Sequence, residues 1–161
     1  MQTLENATSK RYVVLHDIRS AYNVGSMFRT ADGAGVTKVF LCGVTPAPID
    51  RFGRVRKDIA KVALGAEASV PWEQVSDTAA LIARLKSEGA QVVAVEQSPR
   101  AVAYGDFKPN YPAAFIFGNE LDGVPEEVLN SADAIVEIPM HGAKESLNVA
   151  VSAGIILFHF V

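Results

Sequence analysis

Residues 113–123 read Ala-Ala-Phe-Ile-Phe-Gly-Asn-Glu-Leu-Asp-Gly, an apolar run that ends in a glycine and a polar turn. Ala113–Phe117 shows no polar alternation, so both of its faces must be buried, as in a central strand of a parallel sheet. Four other short runs share this character: Tyr12–Leu15, Val39–Leu41, Val92–Val95 and Ala134–Ile138. Amphipathic stretches fall between them. That rhythm predicts a single α/β domain over residues 1–161, with a mostly parallel sheet and helices on both faces.

The stretch after the first strand fits a helix. Val24, Met27, Phe28 and Ala31 recur at i, i+3, i+4 and i+7, with Asn23 placed to cap it and Gly35 to stop it. Ser26, Arg29 and Thr30 then face away from the core. A second helix, Asp77–Glu88, buries Leu81, Ile82 and Leu85 and ends at Gly89. The final segment, Ser146–Val161, is apolar at nearly every position, and such a helix must be covered all round. Asn148, Ser152 and His159 project within about 40° of one another as its polar stripe. Nothing later in the sequence covers this segment, so a partner subunit is the natural cover.

Composition narrows the class. With 49% hydrophobic residues the chain has enough apolar surface for one core without staples. Cys42 has no second cysteine to pair with, Met1–Lys10 is polar, and no run approaches the roughly 18 apolar residues of a spanning helix. A cytoplasmic protein with no membrane partner is expected. The 15 basic and 18 acidic residues leave a net charge of −3, unlike a uniformly basic nucleic-acid binder. Distribution counts for more than the sum. Arg51, Arg54, Arg56, Lys57 and Lys61 crowd into residues 51–61 against one acid, Asp58, which makes this a local basic patch and the candidate nucleic-acid-binding surface. A solvated loop and helix face is the plainer alternative. The stretch Gly43–Gly53, with Pro46 and Pro48, reads as a loop within the domain.

Familiar signatures of other chemistries are missing. No GxGxxG follows the first strand, no P-loop occurs, and no nucleophile elbow surrounds a serine. His16, His141 and His159 have no ligand-like spacing, and one cysteine cannot build a cysteine-rich zinc site, so no metal is expected. Three segments do combine polar groups with strand ends. His16–Arg29 passes from strand to helix through a polar loop, where Asn23 and Gly25 are expected to leave backbone donors open to an anion. In Phe115–Gly123, Gly118 permits close backbone approach, and Asn119, Glu120 and Asp122 sit at a strand's carboxyl end, where open α/β sheets bind ligands. Ile138–Val149 ends a strand at Pro139 and brings Ser146 and Asn148 to a greasy helix, which suits a ligand with an apolar ring and polar edges.

In this order and spacing the three segments resemble the three motifs of the TrmH (SpoU) family of the SPOUT superfamily, and the resemblance covers essentially the whole chain. Asn23, Gly25, Arg29, Thr30 and Ala31 look like motif one, and Phe117, Gly118, Asn119, Glu120 and Gly123 like motif two. Ile138, Pro139, Met140, Gly142, Ser146, Leu147, Asn148 and Val149 look like motif three. The resemblance implies a C-terminal trefoil knot, a homodimer, and an enzyme that moves a methyl group from S-adenosylmethionine to a ribose 2′-hydroxyl of tRNA or rRNA. It implies cofactor contacts at Phe117, Gly118, Asn119, Ile138, Met140, Gly142, Ser146 and Leu147. The adenine would meet backbone near Gly118, Ile138, Met140 and Leu147. Catalytic duties would fall to Arg29, Asn23, Glu120, Ser146 and Asn148, with Arg29 close to the partner subunit's cofactor. Because a guanidinium stays protonated, Arg29 is assigned to the adjacent phosphate and the forming alkoxide rather than to proton removal. Ala150 stands where many relatives carry serine. With no separate RNA-binding domain in view, substrate choice is expected from the core surface or from a partner protein. The alternatives are a non-catalytic RNA-binding or scaffold protein that keeps the knotted fold, and an enzyme that methylates a base nitrogen.

Overall fold

A computed structural model describes residues 9–161, so most of the polar stretch Met1–Lys10 lies outside the described residues. In chain order the elements are β1 (Arg11–His16), α1 (Ala21–Gly33), β2 (Lys38–Cys42), α2 (Lys57–Ala63), α3 (Ala66–Ser69), β3 (Trp72–Val75) and α4 (Thr78–Ser87). They continue with β4 (Gln91–Val95), β5 (Val102–Ala103), a 3₁₀ turn (Tyr104–Asp106), β6 (Ala113–Phe117), α5 (Glu126–Ser131), β7 (Ala134–Glu137) and α6 (Val149–His159).

The strands form one sheet in the order β3-β2-β1-β6-β4-β7-β5, and every pairing is parallel. β6 sits between β1 and β4 and is buried at all of its positions, as its unbroken apolar run requires. Helices cover both faces. Val13, Leu15, Val93, Phe115 and Phe117 cluster with buried residues of α1, α2, α3 and α6. Val14, Phe40, Val92, Ala94, Ala114 and Ile116 cluster with α4 and α5 on the other side. No helix among the described residues is long and apolar enough to cross a membrane.

Local chemistry sets the helix ends. α4 starts at Asp77, whose carboxylate accepts from the Ala80 N–H (3.2 Å), and it buries Leu81, Ile82 and Leu85. Its last turn closes with Ala90 N–H donating to Leu85 C=O and Gly89 N–H to Lys86 C=O. α1 ends the same way, Gly35 and Val36 donating to Asp32 and Ala31. Its start differs from expectation. Ser20 is the cap, its hydroxyl accepting from the Asn23 N–H (3.1 Å), and Asn23 lies buried inside the first turn. Gly25 is likewise internal. A Cβ there would fall 2.7 Å from the Ile59 carbonyl oxygen, so this glycine lets α1 and α2 touch and offers no open donor.

The last helix also starts later than its apolar run. Ser146 and Leu147 are exposed outside it, and Asn148 caps α6 by accepting from Ala150 N–H (2.8 Å) and Val151 N–H (3.3 Å). Asn148 is thus a cap rather than a member of a helical polar stripe. Within one chain α6 is covered on one side only: Ala150, Ala153, Ile156 and Leu157 are buried, while Val151 and Phe158 are about half exposed. Beyond α6, the Phe160 ring stacks on Phe115, and its carbonyl accepts from Arg11 Nε (3.1 Å) and the Tyr111 hydroxyl. The 43–56 segment holds more structure than a plain loop, because Ile49 and Val55 pair as an antiparallel bridge.

Candidate functional site

Strands β1, β6, β4 and β7 end level with one another: Leu15 and Val95 both pair with Phe117, and Val95 pairs with Val136. The segments that leave this edge therefore emerge side by side. Those after β4, β6 and β7, with the start of α6, enclose a cleft of about 730 Å³. Of the residues nominated for the cofactor, Phe117, Gly118, Asn119, Ile138, Met140, Ser146 and Leu147 line it, as do Glu120 and Asn148. Gly142 does not. It borders an adjoining depression lined by Gln97 and by residues 137–140 and 142–145.

The turn after β6 is tight for a reason legible in its glycines. A Cβ on Gly118 would lie 2.3–2.4 Å from backbone atoms of Gly123 and Val124, so only glycine lets the turn close. Gly123 has φ +67° and approaches the Glu96 carboxylate. Asn119 is buried and engaged with the chain itself. Its Nδ2 donates to the Asp17 carbonyl (2.7 Å), while its Oδ1 accepts from Leu121 N–H (2.8 Å) and Asp122 N–H (3.2 Å). Its side chain shapes the loop, and any ligand contact would fall to its backbone.

Glu120 reaches from this loop to the start of α1. Its carboxylate accepts from the Arg19 and Ser20 N–H groups (3.2 Å each) and from Asn23 Nδ2 (3.2 Å). The anion expected at this corner is thus the chain's own side chain. Burial acts to raise the Glu120 carboxyl, but its own N–H, Asn23 and the Arg19 and Ser20 amides outweigh it and hold the group below the usual carboxylate range. Asn23 Oδ1 in turn accepts from Asn148 Nδ2 (3.3 Å). Glu120, Asn23 and Asn148, one from each segment singled out in the sequence, form a single hydrogen-bonded row beside the cleft.

Arg29 is not brought to the cleft. It is exposed on α1, six residues beyond Asn23, and among the described residues it has no ion pair or side-chain hydrogen bond. The basic patch also differs from its linear reading, because two of its cations are matched by acids. Arg54 pairs with Asp50 (3.1 Å), and Arg56 makes a two-point contact with Asp58 (3.1 and 2.6 Å). Arg51, Lys57 and Lys61 are exposed and have no ion pair among the described residues. No group of three or more His, Cys, Asp or Glu among the described residues is placed to hold a metal.

Sequence reasoning missed Glu96 and Gln97. They follow β4 and line the cleft. Glu96 accepts from Val124 N–H (2.9 Å) and Gln97 N–H (2.8 Å), and Gln97 Nε2 donates to the Glu145 carbonyl, so this pair ties the walls of the cleft together. Their position just past a buried strand was the available signal, since ligands gather at strand carboxyl ends.

Comparison with known proteins agrees with this arrangement. The chain is 35% identical over 155 residues to the 23S rRNA (guanosine-2′-O-)-methyltransferase RlmB of Neisseria meningitidis, which covers 96% of this chain and 59% of the relative. It is 29% identical to the tRNA (guanosine(18)-2′-O)-methyltransferase of Aquifex aeolicus, over 98% of this chain and 71% of that protein. The AdoMet-bound rRNA methyltransferase from Sinorhizobium meliloti superposes with a TM-score of 0.85 at 31% identity, covering 94% of this chain and 55% of that one. The chain thus spans about three fifths of the length of several of the relatives it matches. Residues 10–158 match the SpoU rRNA Methylase family, and the chain belongs to that family.

Proposed function

We propose that the chain is an S-adenosylmethionine-dependent RNA ribose 2′-O-methyltransferase acting on tRNA or rRNA. The observation that carries this reading is the Glu120–Asn23–Asn148 row, which joins all three family segments at the edge of one cleft. The residues present fit the cofactor. Ile138, Met140 and Leu147 offer partly exposed apolar surface for a purine, and the bare turn at Gly118 brings backbone polar groups close to it. When bound, S-adenosylmethionine supplies an electrophilic methyl group.

The chain's own residues have then to position a ribose hydroxyl and stabilise the charge it develops. Glu120 is unsuited to removing the proton: its oxygens already accept three hydrogen bonds and its carboxyl is held below the ordinary range. We assign it to fixing the start of α1 and orienting Asn23. Ser146 and Asn148 present polar groups at the cleft rim. Arg29, a guanidinium with no ion pair among the described residues, is assigned to the neighbouring phosphate and to the charge that develops on the hydroxyl oxygen.

Arg29 lies outside its own chain's cleft, which supports a homodimer in which it reaches the partner subunit's cleft. The half-exposed Val151 and Phe158 on α6 and Tyr22 on α1 support the same assembly, because these two helices pack together and leave a shared apolar face. A C-terminal trefoil knot is supported by two crossings of one sheet edge. The 118–125 segment leaves β6 for α5, while residues 138–148 return from β7 past β4 and β6 to Asn23.

The reading is tested by incubating the purified protein with methyl-labelled S-adenosylmethionine and RNA from a strain lacking its gene, then digesting the RNA for nucleoside mass analysis. Label on ribose is expected. Label on a base would assign a different acceptor, and no transfer beside intact cofactor binding would favour an RNA-binding scaffold.

A further inference from the structure

The hairpin-like turn at residues 49–55 is built more firmly than a solvated loop needs to be. Asp50 organises it: its Oδ1 accepts from Phe52 N–H (2.8 Å) and Arg54 N–H (2.9 Å), and its Oδ2 accepts from Arg54 Nε (3.1 Å). Its backbone closes the turn from both sides, Asp50 N–H donating to Arg54 C=O (2.8 Å) and Gly53 N–H to Asp50 C=O (3.0 Å). At the tip, Phe52 keeps 65% of its surface exposed. The ring buries little against its own chain, so a rigid turn holds an aromatic face open to a partner.

The flanking charges say what kind of face. The Arg51 and Arg54 guanidinium carbons lie 4.8 and 4.9 Å from the Phe52 ring centroid. Arg54 is fixed there by Asp50, whereas Arg51 has no ion pair among the described residues and can turn to a phosphate. Exposed Lys57 and Lys61 follow in the chain on α2 without an ion pair among the described residues, so residues 51–61 keep an excess of positive charge over Asp58 and over Asp50 beside them. An aromatic ring and guanidinium plane beside unpaired cations match a nucleobase with its phosphate, and a base must be unstacked to be reached.

We propose that Phe52, supported by Arg51 and Arg54, is a stacking platform for one unpaired base of single-stranded RNA, which selects loops or other single-stranded regions over duplex. This rests on the RNA-modifying reading above for its partner, but it involves none of the cleft residues. Arg51 supplies the phosphate contact, and Asp50 keeps the platform rigid before binding.

The test is fluorescence anisotropy with the full chain, a short labelled pyrimidine oligoribonucleotide and the duplex it forms with its complement, at two salt concentrations. Phe52→Ala is expected to weaken single-strand binding by about tenfold or more and duplex binding by less than about twofold, while Phe52→Trp restores it. Arg51→Gln is expected to flatten the dependence of log affinity on log salt by about 0.7. Absent single-strand binding by the unsubstituted protein, equal affinity of Phe52→Ala, or equal losses on both probes would overturn the proposal. So would a change of oligomeric state in Phe52→Ala by light scattering, which would make the ring a protein contact. A parallel calorimetric titration with S-adenosylmethionine separates the two readings: its failure beside intact, Phe52-dependent RNA binding removes the enzyme and keeps the platform.

Discussion

Gly118→Ala should damage fold and site together, by an amount the geometry sets. The added carbon would sit 2.3 Å from the Gly123 carbonyl carbon and 2.4 Å from both its oxygen and the Val124 nitrogen, about an ångström inside ordinary contact. These neighbours are backbone, so no flexible side chain can give way. Moving the 119–124 turn strains two bonds it makes, Gly123 N–H to Asn119 C=O and Val124 N–H to Glu96, both 2.9 Å. Overpacking of this kind costs about 1–3 kcal/mol, and the two weakened bonds add about 1–2 kcal/mol. At roughly 2–4 °C per kcal/mol for a chain of this size, the melting temperature should fall by about 4–20 °C. Calorimetry should show cofactor affinity falling by at least about tenfold, because the same turn walls the cleft. Differential scanning calorimetry and titration on one preparation check both. A melting temperature within about 2 °C of the unsubstituted chain, with unchanged affinity, would refute the tight-turn argument.

Other substitutions separate roles that lie close together. Arg29→Ala should leave cofactor affinity within about twofold yet slow methyl transfer by about a hundredfold or more, as expected for a group acting on developing charge; equal loss of both would place it in cofactor binding. Asn148→Ala should cost about 1 kcal/mol through the lost α6 cap, whereas Asn148→Asp keeps the capping oxygen at the helix start and sets its other oxygen against Asn23 Oδ1, so thermal melts should rank Asp above Ala and below the unsubstituted chain. Glu120 has a lowered folded pKa, so its contribution to stability is complete above the unfolded value near 4.3 and is lost as pH falls through the folded value. Glu120→Gln should therefore destabilise the chain at neutral pH and flatten its decline below about pH 4, and parallel pH profiles would show that Glu120 contributes no such linkage.

The parts legible in the sequence were those with a strong one-dimensional signal. Ala113–Phe117 announced a central strand because burial on both faces leaves no polar position, and α4 announced itself by its buried stripe, its Asp77 cap and Gly89. β3 was hidden because Trp72–Val75 is an edge strand, with no fully buried position to leave an apolar run. α2 was hidden because only Ile59 and Ala63 are buried, and its cations drew the reading toward a surface patch. At the site, the three segments were visible, but their joining was not. Ser20 displaced Asn23 as the cap, and Asn23 could then turn its side chain to Glu120 and Asn148, residues about a hundred positions away in the chain. Glu96 escaped notice because a lone strand-end carboxylate has no spacing to advertise it; only the fold brings it to Gly123 and Val124.

The cleft beside Glu120, Asn23 and Asn148 is proposed to hold S-adenosylmethionine. Calorimetric titration of the purified chain with S-adenosylmethionine and its demethylated product, beside Asn148→Asp at matched salt, tests it most directly. Saturable binding of both ligands by the unsubstituted chain and weakened binding by the folded variant are expected. No heat of binding from either ligand across temperatures would contradict the proposal.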